Sequence, residues 1–287
     1  MEHRRGTPCA ARVTGATALF ESAGLAALGG LCGAPGLLCF DLDGTLAPIV
    51  AQRQDAVVPA SIAALMQALT QRWRVAVVTG RTIDDAAPRL GFTPHWLWGC
   101  HGAQRPRSGS GLDGEAEVFD TPDPLALHRA LDRCRAQLSG HAEALLARRV
   151  EVEDKGLTIA LHYRHAAAAD TVAAWLDTLL VPVVLVTEAS GLPPGLNAEH
   201  GHCVLNLSAS AAPDKGDALL DLLALCGTDR ALVIGDDAND EPAFVKAPPD
   251  CVSIRIAPVS TPTRARFRIP AQAQVEALLQ LLLNLRH

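Results

Sequence analysis

The sequence predicts an α/β protein: a Rossmann-like parallel sheet interrupted by a smaller α+β domain. Three observations lead there. First, apolar runs at Leu37–Phe40, residues 75–78 and Ala231–Gly235 each end in a polar cluster. Continuous apolar runs, rather than alternating ones, mark strands covered on both faces, as in parallel sheets. Second, Ile62, Leu65, Met66 and Leu69 recur at helical spacing between the first two runs, giving strand, helix, strand. Third, Thr79 and Lys215 are separated by far more residues than one crossover needs, and structureless loops of that length are rare inside a compact domain. A second domain is therefore inserted between them.

Taken in order, the first strand runs into Asp41-Leu42-Asp43-Gly44-Thr45. Residues i and i+2 of an extended chain point the same way, so both carboxylates are expected at the carboxyl end of a buried strand, where α/β sheets bind ligands. One can attack phosphorus while the other handles the proton. Two adjacent carboxylates are costly to ionise together, so a divalent metal with oxygen ligands is expected, Mg2+ being the natural choice. The second strand delivers the Thr79 hydroxyl just before Gly80-Arg81. Farther on, Asp214 is an expected N-cap for a helix that begins with Lys215 and carries Leu219, Leu220, Leu222 and Leu223. The third strand ends in Asp236-Asp237-Ala238-Asn239-Asp240-Glu241. Each patch alone has an ordinary reading, since Asp-Gly is a turn pair, threonine a cap and lysine a solvated charge. Together they supply a nucleophile, oxyanion ligands and a metal site, the set that phosphoryl transfer requires.

The insert has its own pattern. A helix is expected over 124–138, strands near 150–152 and 157–163, a helix over 167–180, and strands near 183–186 and 203–207. This makes a small sheet with helices on one face. The stretch 105–114, rich in Arg, Ser and Gly, reads as a loop or hairpin tip. Trp96-Leu97-Trp98 is a further core strand, followed by His101, and the chain rejoins the core near 208–213. Residues 275–285 form an apolar helix that packs on the core, with a dimer contact through its leucines as the alternative.

Composition agrees. A chain of 287 residues, 49% of them hydrophobic, can build two cores, and with only 4% aromatics these must be mostly Ala, Leu and Val. A net charge of −6 argues against a nucleic-acid binder, whose signature is a basic face. The eight cysteines show neither a Cys-x-x-Cys pair nor zinc spacing, so they are read as thiols in a reducing cytosol. Apolar stretches are broken by Gly, Pro or charge short of a membrane span. Residues 1–36 carry no motif and are expected to be a loosely ordered extension or a short helix. Arg4, Arg5 and Arg12 suggest a targeting segment, but Glu21 interrupts its apolar region.

The motif order resembles the haloacid dehalogenase (HAD) superfamily of aspartate-nucleophile phosphatases. Within it, residues 40–49, 99–103 and 235–241, together with Lys155-Gly156-Leu157 leading to Leu161-His162-Tyr163-Arg164, resemble trehalose-6-phosphate phosphatases over about residues 37 to 250. The resemblance implies a HAD core over 37–106 and 209–287 and an α+β cap over 107–208. It also implies Mg2+-dependent hydrolysis of trehalose 6-phosphate through an aspartyl-phosphate, in trehalose biosynthesis. Asp41 would be the nucleophile, and Asp43 the general acid and then base. Thr79 and Lys215 would hold the phosphoryl oxygens. The metal would sit on Asp41, the Asp43 main-chain carbonyl and Asp236, with Asp237 and Asp240 outside them. Arg81, His101, Lys155 and Asn206 are the substrate-contact candidates, with His162 and Arg164 beside them on the cap. Where the family presents a glutamate, then a basic residue followed by proline, this chain has Asn206, Ser208 and Ala209. A phosphatase or mutase for another sugar phosphate (sucrose phosphate, glucosylglycerate phosphate, a phosphohexose) is thus the alternative. A catalytically dead sugar-phosphate sensor is the third reading, which the intact motifs disfavour. The expected partner is a small sugar phosphate, with no nucleic acid and no membrane, and the chain is expected to be a monomer.

Overall fold

A computed structural model describes residues 16–31, 36–106, 116–118, 124–184, 195–201, 203–209 and 212–285. The elements in chain order are β1 (Thr17–Ala18), α1 (Ser22–Gly29), β2 (Leu37–Phe40), α2 (Ala60–Leu69), β3 (Arg74–Val78), α3 (Ile83–Leu90), β4 (Trp96–Trp98), β5 (Gln104–Pro106), β6 (Ala116–Val118), α4 (Pro124–Ser139) and α5 (Ala142–Ala147). They continue with β7 (Glu151–Asp154), β8 (Thr158–His162), α6 (Ala169–Val184), β9 (Leu196–Gly201), β10 (Val204–Ala209), α7 (Lys215–Cys226), β11 (Ala231–Gly235), α8 (Glu241–Lys246), β12 (Val252–Ile256), β13 (Phe267–Ile269) and α9 (Val275–Asn284).

The core is one seven-stranded sheet ordered β1-β13-β12-β11-β2-β3-β4, every pair parallel. Alternation within its apolar runs assigns the two faces. Leu38, Phe40, Val75 and Val77 pack with Ile62, Met66, Leu278 and Leu282 of α2 and α9, whereas Leu37, Cys39, Ala76 and Val78 pack with Leu219, Leu222 and Leu223 of α7. The chain leaves β2 toward β3 and β4, then returns to β11 on the other side of β2. That reversal between β2 and β11 is the switch point at which open α/β sheets form a ligand crevice.

A four-stranded antiparallel sheet, β7-β8-β10-β9, forms the inserted cap. Ile159, Leu161, Leu205, Leu207 and Ala209 face its helices, packing with Leu131, Leu138, Leu176 and Leu180. Alternation leaves Thr158, Ala160, His162, Val204, Asn206 and Ser208 on the opposite face.

Two expectations are corrected. The strand expected near 183–186 is absent at Val183 and Val184, which end α6, and 185 and 186 lie outside the described residues. Its place in the sheet is taken by β9, Leu-Asn-Ala-Glu-His-Gly, a mostly exposed strand paired only to β10, which carries almost no apolar signal. The extension expected over 1–36 is not separate where it is described. Thr17 and Ala18 pair with β13, and Leu19, Leu28 and Leu31 are buried in the main core. The short helix expected there is α1, while Arg4, Arg5 and Arg12 lie outside the described residues, as do Cys9 and Cys32. The hairpin expected near 105–114 is seen as β5 paired with β6, its tip lying outside the described residues. The terminal helix α9 turns Val275, Leu278, Leu279 and Leu282 into the core.

Candidate active site

Asp41 follows β2 directly, and its N–H extends the ladder to the neighbouring strand by donating to Ile234 O at 3.0 Å. This fixes Asp41 beside the end of β11, where Asp236 emerges. Gly44, at φ +81°, turns the chain under that carboxylate. A Cβ at Gly44 would lie 2.1 Å from Asp236 Oδ2, so no larger residue fits. Lys215 is the first residue of α7, and Asp214 is its N-cap as expected, accepting from the N–H groups of Gly216 and Asp217 at 2.8 and 2.9 Å. Lys215 is 5% exposed. Its ammonium donates to Asp41 Oδ1 and Asp240 Oδ1, both at 2.7 Å.

Asp41, Asp236 and Asp240 each bring a carboxylate oxygen within 4.8 Å of the others. Their charges are incompletely balanced. Burial, against the pull of Lys215 and with Asp240 and Asp43 adding to it, raises the Asp41 carboxyl to about 7. Asp236 is pushed to about 9 by burial, then by Asp41, Asp240 and Asp237. Burial works against the Lys215 charge, but Asp240 and Asp41 hold its ammonium above the ordinary lysine range. Cys39, two residues before Asp41 on the same side of the strand, has its thiol driven up to about 12 by burial and is therefore inert. Beside the carboxylates, Asn239 Oδ1 is buried without a hydrogen-bond partner. Crowded acids held partly protonated, plus an orphaned amide oxygen, are a donor set that fits a hard dication.

The expectation that Asp240 stands outside the metal ligands needs a finer statement. It reaches the cluster, but its Oδ1 accepts from Lys215 and its Oδ2 from Asp237 N–H at 2.9 Å. Both oxygens are engaged, which suits a residue that places Lys215. Asp237 caps the turn that follows, accepting from Ala238 N–H at 2.8 Å.

Asp43 is gripped by Arg81 through Nε and Nη2, both at 2.7 Å. Arg81 is 2% exposed and also donates to Asp85 Oδ2 at 2.7 Å, and Asp85 is held in turn by Arg89. Arg81, a substrate-contact candidate, lines the cleft but is committed to an ion pair with Asp43. Thr79, whose N–H donates to Trp98 O, is fully buried and accepts from Arg81 N–H at 3.2 Å; it is absent from the cleft lining.

The remaining candidates line one cleft of about 500 Å3 between core and cap. His101, at φ +59°, donates its N–H to Thr79 O at 2.9 Å. Its Nδ1 is buried without a hydrogen-bond partner. Burial, then Lys215 and Lys155, keep the imidazole well below its usual range and hence neutral. Lys155, from the turn between β7 and β8, reaches across to Gly80 O at 2.7 Å. Asn206 lies on the polar face of β10, and His162 on the same face accepts or donates at 2.9 Å with Glu153. Arg164 spans the cleft to Val50 O at 2.5 Å. Glu151, Glu153 and Cys203 line the cleft unforeseen, although the alternation of Glu151 and Glu153 along β7, continued by Lys155 in the turn after it, is a usable signal.

A family model described as Trehalose-phosphatase matches residues 39–271. The chain belongs to that family. A trehalose-phosphate phosphatase of Mycobacterium ulcerans (strain Agy99) is 30% identical over 223 residues, covering 76% of this chain and 53% of that protein. A probable trehalose-phosphate phosphatase of Sinorhizobium fredii (strain NBRC 101917 / NGR234) is 29% identical over 252 residues, covering 85% and 86%. The chain thus spans about half the length of the mycobacterial relatives it matches. In fold, the family member resembles the C-terminal domain of a Candida albicans trehalose-6-phosphate phosphatase at TM-score 0.74 and 17% identity, covering 94% and 98% of the two chains.

Proposed function

We propose that this chain is a Mg2+-dependent phosphatase that hydrolyses trehalose 6-phosphate to trehalose and phosphate through an aspartyl-phosphate at Asp41. The observation that carries the reading is the Lys215 ammonium bonded to both Asp41 and Asp240 beside Asp236, at the floor of a cleft roofed by a polar sheet face. Family membership and the names of the relatives supply the substrate class.

In this reading the core comprises 37–106 and 209–287 together with 16–31, and 107–208 is the cap. An Asp41 oxygen attacks phosphorus as the bond to the sugar oxygen breaks, and the Asp43 carboxyl gives its proton to that oxygen. Asp43 then takes a proton from the water that attacks the acyl-phosphate, which returns Asp41 as a carboxylate and releases phosphate. Arg81 holds Asp43 by both oxygens, so it positions this acid and must release one oxygen for each proton transfer. Lys215 binds the transferring oxygens, while Thr79, buried outside the cleft lining, supports the turn beneath them by accepting from Arg81 N–H and His101 N–H. Asp41, the Asp43 carbonyl and Asp236 would hold Mg2+, which when bound supplies charge neutralisation at the phosphoryl group. Lys155, Arg164 and Asn206 contact substrate from the cap and His101 from the core, and cap closure excludes bulk water. The six described cysteines are all free, which fits a reducing cytosol, and no helix among the described residues is long and apolar enough to cross a membrane.

Asn206, where the family pattern has glutamate, supports a second reading in which another sugar phosphate is the substrate. Phosphate release from trehalose 6-phosphate, sucrose 6-phosphate and glucosylglycerate phosphate, with and without Mg2+, separates them. No release from trehalose 6-phosphate removes the first, and an acyl-phosphate mimic such as fluoroberyllate should be trapped on Asp41.

A further inference from the structure

Outside the cleft, one side chain ties the helix that delivers Lys215 to the helix that follows the acidic loop. Lys246, the last residue of α8, donates from Nζ to both carboxylate oxygens of Asp214 at 2.9 Å and to Asp217 Oδ1 at 2.7 Å. Those two acids are the capping box of α7. Asp214 accepts from the N–H groups of Gly216 and Asp217, and Asp217 Oδ2 accepts from Asp214 N–H at 3.2 Å. Two like charges thus share the first helical turn, with Lys246 as their common counter-ion. The lysine stem completes the contact. A Cβ at Gly216 would lie 2.5 Å from Lys246 Cδ and 2.6 Å from Pro242 O, so α7 meets α8 at its backbone.

Lys215 sits between Asp214 and Gly216 in that same turn, and Asp240 immediately precedes α8. The two elements that Lys246 joins therefore carry the ammonium and the carboxylate that meet at 2.7 Å beside the nucleophile. Lys246 is not part of the cleft lining.

We propose that Lys246 is a positioning residue for the oxyanion grip: by locking the first turn of α7 to the last turn of α8, it holds Lys215 where the transferring phosphoryl oxygens arrive. This rests on the phosphatase reading above. Lys246→Met keeps the stem and removes the ammonium. It is expected to lower kcat about tenfold and weaken inhibition by orthovanadate about tenfold, while KM for the sugar phosphate stays within about twofold. Lys246→Arg should restore most of both losses. Because these ion pairs are about a third exposed, the melting temperature should fall by no more than about 3 °C. Asp217→Asn, which weakens the same clamp, should move kcat and vanadate inhibition in the same direction. Wild-type kcat and vanadate inhibition in Lys246→Met would overturn the proposal, as would equal losses in Leu222→Ala, whose buried α7 side chain lowers stability without touching the clamp. If the wild-type protein hydrolyses no sugar phosphate, the phosphatase reading fails instead, and the rise in melting temperature with vanadate still reports the grip in each variant.

Discussion

Replacing the proposed nucleophile by its isostere, Asp41→Asn, should abolish turnover and make the metal-free protein more stable. Burial, only partly offset by Lys215, lifts the Asp41 carboxyl from 3.8 to about 7. An acid whose folded pKa is raised binds its proton more tightly in the native state. Below about pH 4 both states are protonated and nothing is lost. As pH climbs through about 7 the native state must give up that proton, and charged Asp41 then costs about 4 kcal/mol relative to the unfolded chain. Asparagine carries no such cost, and Lys215 keeps its bond to Asp240. Halving the figure for relaxation around the new amide leaves about 2 kcal/mol, or about 4–8 °C in melting temperature, at pH 8. The assay is a thermal melt of both proteins in EDTA from pH 4.5 to 8.5. The gain should grow with pH and level off above about pH 7. A gain independent of pH, or a variant less stable than wild type at pH 8, would refute the reasoning.

Other outcomes follow from the same geometry. Chelation by EDTA should remove turnover and Mg2+ restore it; at 100 times its Kd the ion should stabilise wild type by about 2.7 kcal/mol, and Asp41→Asn by much less, read as melting-temperature shifts. Arg81→Met should lower kcat about tenfold or more by freeing Asp43, and Arg81→Lys should recover little, because a single ammonium cannot reproduce the two-point grip. Lys155→Met should raise KM for the sugar phosphate about tenfold with a smaller change in kcat, since this side chain reaches from the cap to Gly80.

What the sequence showed and what it concealed divide along one physical line. Strands buried on both faces announce themselves as apolar runs, so β2, β3 and β11 and the residues at their ends, Asp41, Thr79 and Asp236, were all legible. The N-cap Asp214 was legible for a related reason, because it precedes an apolar helical face. Edge strands lack that signature. Among the described residues β9 pairs on one side only and exposes Asn197, Ala198, Glu199 and His200, so the apolar signal falls on Val183, which belongs to the end of α6. The two-residue β1 was hidden because so short a segment has no period. At the site, residue types were readable but partners were not. Nothing in the chain order says that Arg81 would claim Asp43, or that Asp240 would share Lys215 with the nucleophile.

The charges at the floor of the cleft set an order of events. Among the described residues, Asp41, Asp236 and Asp240 face one ammonium, Lys215, while Arg81 is already committed to Asp43 and Asp85. A phosphate monoester dianion entering that floor would meet a surplus of negative charge in a site where water screens poorly. Burial first, and then the neighbouring carboxylates, already raise the Asp41 and Asp236 carboxyls before any ligand arrives. Protonation could relieve it, but a protonated Asp41 is a poor nucleophile. A dication relieves it while keeping Asp41 charged, so on the proposed mechanism Mg2+ is expected to bind before the sugar phosphate or together with it. Steady-state kinetics should then show that KM for the sugar phosphate falls as Mg2+ rises toward saturation. A KM that stays constant from trace to saturating Mg2+, while kcat alone changes, would mean that the phosphate is held by the cap and not by the acidic floor.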